Sequence, residues 1–369
     1  MNSVQYGVSA MLDSFAKASD AVGAVSAGNP APSVMDRMLA RVRIAGTGVF
    51  VPPTIRTSAG IDAELGRPAG MTEKRVGVKS RPVVTTESTS AMAIEAASRA
   101  VERSGMNTQE IDLVLFAAAV PEQPIPATAP LIQQALGLGR ARIPAFDVNA
   151  SCLSFVVAFD IAAQMIEAGR ARNVLIASSE IPSRALPWKQ SPDTAALFGD
   201  GAAAIVLSAN RGGSGGVAAF HMETWPEGYR DCELAAGGTR FDFHRDAAGF
   251  AENAVFRMDG KAAYKLAAKV IAPFFEALLG KACWRWSDVD LVVPHQASRG
   301  SLDHLVQKLK IPREKIVDLI ATHGNQIAAS IPTALHDAIA TGRARKGSKV
   351  VVVGTSAGFS VGGFCLEMA

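Results

Sequence analysis

The sequence is poor in charge, in aromatic side chains and in cysteine. Of its 369 residues 19% are charged and 6% are aromatic, and 37 Lys and Arg stand against 34 Asp and Glu, a net charge of +3. No run of five or six basic residues occurs that could follow a phosphate backbone, so no nucleic-acid partner is expected. The four cysteines lie far apart without CxxC spacing, which argues against a zinc site or a disulfide framework and fits a reducing cytoplasm.

Long hydrophobic runs are also missing. No uninterrupted apolar stretch approaches 18 residues, so we expect no membrane span. The N-terminus lacks the pattern of a secretory signal, because Asp13, Lys17 and Asp20 interrupt it. Hydrophobic residues nevertheless make up 49% of the chain, which is enough for a large core and excludes general disorder.

Short apolar runs alternate with longer amphipathic ones from Arg41 onward. Residues 1–40 are interpreted as an N-terminal extension and linker, since 1–33 are rich in Ala, Ser and Gly and close on Gly-Asn-Pro-Ala-Pro. Strands that are apolar throughout and separated by helices indicate α/β sheets covered on both faces. Strands are predicted at 42–46, 113–118, 145–148, 173–179, 203–208, 216–223, 290–294, 349–353 and 363–367, and helices at 88–104, 128–136, 154–168, 261–279, 299–309 and 327–341.

Two short motifs recur at nearly the same distance. Ile-Asp-Leu-Val at 111–114 returns as Val-Asp-Leu-Val at 289–292, and Gly-Arg-Ala-Arg at 169–172 returns at 342–345, each in the same position relative to an apolar strand. The repeat predicts two related α/β halves, 41–215 and 216–369. Equivalent loops of the two halves are then expected to form a shared site at their interface.

Cys152 is the cysteine with a setting suited to chemistry. It follows the predicted strand 145–148 and precedes a helical pattern, so its thiol is expected near the positive end of a helix dipole, which stabilises a thiolate. An inert buried thiol is the alternative. Cys232, Cys283 and Cys365 are expected to be inert.

A histidine and an asparagine occupy equivalent places in the second half. His295 follows the apolar strand 290–294, where ligands bind in open α/β sheets, and Asn325 lies in a Gly-containing loop with His323. Each could be an ordinary loop residue, but with Cys152 they form a Cys/His/Asn set. His304 is expected on a solvated helix face.

Two glycine-rich segments leave alternatives open. Phe-Gly-Asp-Gly-Ala at 198–202 is a phosphate loop or, since it precedes a strand, more readily a tight turn. Gly-Thr-Ser-Ala-Gly at 354–358 offers backbone N–H groups to an oxyanion, or forms a plain turn. Neither a Rossmann fingerprint nor a P-loop occurs, so no cofactor is expected.

These residues together resemble the β-ketoacyl-[acyl carrier protein] synthase III group of the thiolase superfamily. The resemblance covers nearly nine tenths of the chain, in order. It rests on the runs Arg-Val-Gly-Val at 75–78, Ala-Phe-Asp-Val leading to Cys152, the 198–202 run, Pro-His-Gln-Ala at 294–297, and His-Gly-Asn at 323–325 with Ala-Ala-Ser-Ile-Pro at 328–332.

The resemblance implies a five-layered α-β-α-β-α thiolase fold and a homodimer. It implies that Cys152 takes an acyl group from acyl-CoA, while His295 and Asn325 hold the carbonyl of malonyl-ACP or malonyl-CoA and stabilise the enolate formed as CO₂ leaves. The backbone N–H groups of Cys152 and Ala357 would form the other oxyanion hole. Exposed basic residues near the entrance would suit an acidic acyl carrier protein.

Four substrate-binding positions follow from the same resemblance. Arg75 matches a residue that contacts CoA, and Met71 stands where the family usually stacks a Trp on adenine. Ile125 replaces a bulky aromatic that lines the partner chain's acyl pocket, which would permit a longer chain. Arg299 is the fourth position.

The pairs Leu153-Ser154 and Ser298-Arg299 also resemble the corresponding residues of thiolases that join two acyl chains head to head. Those enzymes carry a glutamate base at the position of Ile125, and its absence here counts against that chemistry. The leading prediction is a decarboxylative condensing enzyme of fatty-acid or specialised-metabolite synthesis. A non-decarboxylating acyltransferase, a head-to-head condensing thiolase and a non-catalytic subunit remain alternatives.

Overall fold

The computed structural model describes residues 38–369, so the predicted extension at 1–40 lies almost entirely outside the described residues. The chain is held to the fold from Leu39, whose backbone N–H donates to Val217 O at 2.7 Å. The strands are β1 Val42–Phe50, β2 Thr54–Thr57, β3 Ser80–Val83, β4 Leu113–Ala117, β5 Ala145–Val148, β6 Asn173–Glu180, β7 Gly201–Ala209, β8 Gly216–Thr224, β9 Cys232–Glu233, β10 Arg257–Met258, β11 Leu291–Pro294, β12 Lys349–Ser356 and β13 Ser360–Glu367.

The first large sheet is built from the first half of the chain. Its order is β1-β7-β6-β4-β5. The pairs β1/β7 and β7/β6 are antiparallel, whereas β6/β4 and β4/β5 are parallel. Strand β4 is buried at every position, as expected for a parallel strand covered on both faces. Strand β5 is the edge, and the side chain of Phe146 on it is 38% exposed.

The second large sheet repeats this plan. Its order is β8-β13-β12-β11, with the first two pairs antiparallel and β11/β12 parallel. An isolated parallel bridge between Val292 and Ile316 occupies the place of a fifth strand. Strands β8, β13, β12 and β11 thus have the same order and relative directions as β1, β7, β6 and β4 of the first sheet. The fold therefore confirms the duplication that the two motifs predicted.

The helices are α1 Ser58–Glu64, α2 Met71–Val76, α3 Thr89–Ser104, α4 Ala129–Ala135, α5 Ser154–Glu167, α6 Pro192–Ala195, α7 Ala247–Asn253, α8 Gly260–Ala282, α9 Arg299–Leu309, α10 Ile320–His323 and α11 Ser330–Ala340. Helices α5 and α11 lie between the two sheets and contact both. Since α5 is enclosed in this way, eight of its fourteen residues are buried. Helix α3 covers the outer face of the first sheet and α8 that of the second, which gives five layers, α-β-α-β-α.

Three of the six predicted helices begin after a residue whose side chain caps them. Ser88 accepts a hydrogen bond from the backbone N–H of Ala91 at the start of α3, and Ser298 does the same for Ser301 at the start of α9. The predicted helix 327–341 is divided instead. A 3₁₀ turn at Ile327–Ala329 precedes α11, and Ile327 has a φ of 50°. No helix within residues 38–369 is long and apolar enough to cross a membrane.

Candidate active site

Cys152 lies in the turn between β5 and α5. Ser151 has a φ of 52°, so the chain turns sharply and presents the thiol at the carboxyl edge of the first sheet. Ser154 holds this turn, because its hydroxyl donates to Ser151 O at 2.6 Å and accepts from the backbone N–H of Ala150 at 2.9 Å. The side chain of Cys152 is half-buried, and the cysteine carries no disulfide.

The resting thiol of Cys152 is protonated. Burial, together with the neighbouring Glu180 and Cys232, raises its pKa to about 12. Two backbone N–H groups, those of Ala357 and of Cys152 itself, lower the pKa. These N–H groups act in the direction that was expected of the helix start, but their effect is smaller than that of burial. Desolvation outweighs these two backbone N–H groups, so the proton must leave as the sulfur attacks.

Leu153 joins the nucleophile turn to the second half. Its side chain is fully buried, and a Cβ placed on Gly354 or Gly362 would lie 3.1 Å from one of its methyl carbons. That same Cβ on Gly354 would lie 3.0 Å from the Cβ of His295. The side chain of Leu153 therefore fills the core between the two halves.

His295 follows β11 and is held against β12. Its backbone N–H donates to Val353 O at 2.8 Å, and the residue is 6% exposed. Burial lowers the pKa of the imidazole to about 4, so the ring is neutral at neutral pH. The Nδ1 atom of His295 has no hydrogen-bond partner among the described residues. A neutral imidazole with a free ring nitrogen can donate or accept a hydrogen bond to a substrate.

Asn325 is brought to His295 by their loops. Its amide nitrogen donates to Ala297 O at 3.3 Å, two residues after His295, while its Oδ1 accepts from the backbone N–H of Ile327 at 2.8 Å. The residue is 7% exposed. One amide hydrogen remains for a substrate, and the orientation of the amide is fixed by the two bonds.

The glycine-rich run at 198–202 packs against the loop of Asn325. The backbone N–H of Asn325 donates to Leu197 O at 2.8 Å, and that of Gly199 donates to Asn325 O at 3.2 Å. A Cβ on Gly199 would lie 2.1 Å from His323 O, and one on Gly201 would lie 2.1 Å from the Gln326 side chain. Of the two alternatives for this run, the structure supports the tight backbone arrangement.

A cavity of about 560 Å³, its open mouth included, leads to His295. Its lining includes Tyr264 and His304, and the Tyr264 hydroxyl lies 2.9 Å from His304 Nδ1. The Nε2 atom of His304 is buried without a partner among the described residues. The expectation that His304 lies on a solvated face is thus wrong, because α9 packs against α8 at this point. Within residues 38–369, no three metal-ligating side chains are grouped to hold a metal ion.

The four predicted substrate-binding residues lie at the surface around α2, α9 and the loop after β4. Arg75 is exposed on α2, and its guanidinium donates to Asp193 at 2.8 Å. Met71 begins the same helix and is half-buried. Arg299 forms two hydrogen bonds with Asp318. Ile125 is 86% exposed. Both arginines are therefore already paired within the chain.

Glu180 was missed by the sequence analysis. It ends β6, is 1% exposed, and its Oε1 accepts from the backbone N–H of Ala119 at 2.6 Å. Burial raises its pKa to about 8, against the backbone N–H groups of Ala119, Ala328 and Val120, which lower it. The available signal was an acidic residue directly after the uncharged predicted strand 173–179.

A free thiol at a strand–helix turn of one duplicated α/β half, with a neutral imidazole and a fixed carboxamide on loops of the other half, is the residue set expected of a thiolase-fold condensing enzyme. Residues 146–226 match the family described as 3-oxoacyl-[acyl-carrier-protein] synthase III, and 279–368 match its C-terminal part. The chain is 34% identical over 325 residues to the β-ketoacyl-[acyl-carrier-protein] synthase III of Vesicomyosocius okutanii, covering 88% of this chain and 98% of the relative. The chain belongs to this family.

Solved structures agree with the family and with the fold. The 3-oxoacyl-[acyl-carrier-protein] synthase III of Aquifex aeolicus is 31% identical, with a TM-score of 0.79 over 88% of this chain and 99% of that one. Xanthomonas campestris OleA with bound cerulenin is 23% identical, with a TM-score of 0.78 over 92% of this chain and 100% of that one, a likeness of fold alone. The predicted thiolase fold and condensing-enzyme class are confirmed.

Proposed function

We propose that this chain transfers an acyl group from acyl-CoA to Cys152 and condenses it with malonyl-ACP or malonyl-CoA. The single observation that carries the proposal is the juxtaposition of His295 and Asn325 by the Ala297 carbonyl, on the loops that face the Cys152 turn. The roles of these residues are our assignment. No cofactor is required beyond the two thioester substrates.

In the first step the sulfur of Cys152 attacks the acyl-CoA carbonyl. The backbone N–H groups of Cys152 and Ala357, which already face the sulfur, are suited to stabilise the oxyanion. When the carbonyl re-forms, the C–S bond to CoA breaks, and the CoA sulfur leaves carrying the proton that Cys152 gave up. The products are an acyl thioester on Cys152 and free CoA.

In the second step His295 and Asn325 hold the thioester carbonyl of the malonyl group. As the bond to the carboxylate breaks, its electron pair moves onto this carbonyl, and two neutral donors stabilise the enolate without neutralising it. The enolate carbon then attacks the acyl-Cys152 carbonyl, and the Cys152 thiolate leaves. A protonated imidazole would hold the starting carboxylate as well, so the neutral state of His295 favours this step.

A homodimer is part of the proposal. Strand β5 is one of the two edges of its sheet and carries the exposed side chain of Phe146, and the apolar side chains of Val120 and Ile125 are exposed in the loop after β4. A second copy placed at this edge would cover them and bring Ile125 to the acyl pocket of its partner. Sedimentation equilibrium tests the dimer, and a monomer at micromolar concentration would contradict it.

An acidic acyl carrier protein is the proposed donor of the malonyl group. The exposed side chains of Lys261 and Lys265 flank Tyr264 on α8, beside the cavity that leads to His295. Positive charges there would steer an acidic carrier toward the cavity mouth. Since all four cysteines are free thiols, the proposed compartment is the reducing cytoplasm.

Intact mass spectrometry after exposure to a panel of acyl-CoAs tests the acylation step. We expect the wild type to gain the mass of one acyl group and Cys152→Ala to gain none. The control is Cys283→Ala, which removes an exposed thiol elsewhere and should acylate like the wild type. Acylation of Cys152→Ala would overturn the assignment of the nucleophile.

Release of ¹⁴CO₂ from carboxyl-labelled malonyl thioester tests the second step. We expect one CO₂ for each 3-oxoacyl product. Product formation from two acyl-CoA molecules without CO₂ would instead support the head-to-head alternative.

A further inference from the structure

The carboxyl group of Glu180 lies where the segment after β4 meets the 3₁₀ turn Ile327–Ala329. Glu180 is the last residue of β6, and the residue is 1% exposed. Its Oε1 accepts from the backbone N–H of Ala119 at 2.6 Å. Strand β6 packs against the 3₁₀ turn Ile327–Ala329, which begins two residues after Asn325. One buried carboxyl group therefore joins the segment after β4 to the neighbourhood of Asn325.

Each segment leads to a different part of the proposed site. The segment after β4 continues to Ile125, and Ala119 O accepts from the side chain of Asn149, three residues before Cys152. The turn Ile327–Ala329 is tied to Asn325 by the bond from the Ile327 N–H to Asn325 Oδ1. A shift of either segment moves a group that the proposed reaction uses.

We infer that Glu180 is a positioning residue of the condensing site, which fastens the segment after β4 and the turn after Asn325 so that the Asn325 amide is held for decarboxylation. The inference rests on the proposed function. Glu180 acts through backbone groups and through its charge.

The surroundings of Glu180 contain few other ionisable groups. Cys152 is the described residue whose charge is coupled to it. Asp200, beside its strand partner Gly201, is directed elsewhere, since its oxygens accept from Val84 N and from the Ser183 hydroxyl. Neither β4 nor the turn at 327–329 contains an ionisable side chain. The buried face of α3 consists mainly of Ala and Met, and the ionisable residues of α5 are Asp160 and Glu167.

Glu180→Gln should slow the decarboxylation step and leave the acylation step intact. A glutamine places an NH₂ group against backbone N–H donors, so the clamp is broken and the Asn325 turn shifts. We expect CO₂ release from malonyl thioester to fall at least about tenfold. Acylation of Cys152 should persist, because the oxyanion-hole groups belong to other segments.

The alkylation rate of Cys152 by iodoacetamide gives a readout that a purely structural role would not move. Because burial holds the pKa of Glu180 near 8, its charge develops only above that pH. The wild type and Glu180→Gln should therefore coincide at pH 6–7. Above pH 9 the variant should react faster, by about tenfold, since no negative charge opposes its thiolate.

Two variants complete the design. Glu180→Asp keeps the carboxylate but has a side chain too short to reach the two segments. The pH dependence of its alkylation should therefore match that of the wild type, while its rate of CO₂ release falls. Asp112→Asn is the matched control, because Asp112 also accepts from two backbone N–H groups, those of Arg172 and Asn173, but at the opposite end of the same sheet. It should leave both readouts unchanged.

The inference would be overturned if Glu180→Asp or Glu180→Gln released CO₂ at the wild-type rate. It would also be overturned if the alkylation rates of the wild type and Glu180→Gln stayed equal above pH 9. Failure of the proposed function is distinguishable, because then the wild type itself would take no acyl group. Should Glu180→Gln fail to fold by circular dichroism, Glu180→Asp decides the outcome alone.

Discussion

Replacing His295 by asparagine tests the chemistry of the second step most directly. The variant keeps a neutral donor but shortens its reach and removes the imidazole. Loss of one well-placed oxyanion donor costs about 10²–10³ in rate, or about 3–4 kcal/mol. We therefore expect CO₂ release from malonyl thioester to fall by about that factor in His295→Asn, with acylation of Cys152 close to wild type.

The pH dependence sharpens this test. Burial lowers the pKa of His295 from 6.5 to about 4, so the wild-type rate of CO₂ release should show no loss through pH 6.5 and fall only near pH 4. The same shift destabilises the folded chain in acid, because the unfolded state binds this proton from pH 6.5 downward. Between pH 7 and pH 4 it removes about 3 kcal/mol of unfolding free energy, a loss that His295→Asn lacks.

The assay is single-turnover release of ¹⁴CO₂ from enzyme acylated beforehand, from pH 4.5 to 9, with urea unfolding at pH 4 and pH 7. His304→Asn is the matched control, since His304 lines the same cavity but is held by Tyr264. An acid limb in the wild-type rate near pH 6.5, or a His295→Asn rate within threefold of wild type, would refute the reasoning.

Three further predictions concern the framework of the site. Gly199→Ala places a Cβ 2.1 Å from the His323 carbonyl, so it should lower the free energy of unfolding by about 1–3 kcal/mol and reduce condensation, whereas Gly280→Ala, which meets open space, should do neither. Burial raises the pKa of Glu180 from 4.5 to about 8, so the folded chain loses stability as the pH rises through this range. From pH 5 to pH 9 the free energy of unfolding of the wild type should fall by about 4 kcal/mol relative to that of Glu180→Gln. An equal change in both proteins, measured by urea unfolding, would contradict this. Arg81 is 1% exposed and donates to Ala196 O at 2.9 Å, so Arg81→Met should cost about 3 kcal/mol by urea unfolding, and a change below 0.5 kcal/mol would count against it.

The large sheets were predictable because most of their strands contain an uninterrupted apolar run, such as Leu113–Ala117 in β4 and the four valines at 350–353 in β12. The predicted strand 145–148 and helix 299–309 match β5 and α9 in both bounds. The elements between Thr54 and Val83 were not predicted, since their strands have four residues each and show no strong period. Short paired strands such as β9 and β10 depend on contacts between distant parts of the chain.

The set of candidate groups was predictable, but its electrostatics was not. Cys152 and His295 could be proposed because each comes after a predicted strand, and Asn325 because it lies in a Gly-containing loop before a predicted helix. The pKa of the Cys152 thiol depends on burial and on Glu180, which lies 28 positions away in the printed sequence. Likewise, the pairing of Arg75 with Asp193 joins residues 118 positions apart. Pattern reasoning gives the strand ends, whereas these pairings arise only when the sheet is assembled.

The contact of Leu153 with Gly354 and Gly362 restricts how this chain can vary. The residue after the nucleophile and two strand positions about 200 residues later occupy one volume. A bulkier side chain at either glycine would require a smaller one at 153, and the exchange would move the nucleophile turn relative to His295. A substitution at 153 in the first unit and substitutions at 354 or 362 in the second must therefore occur together.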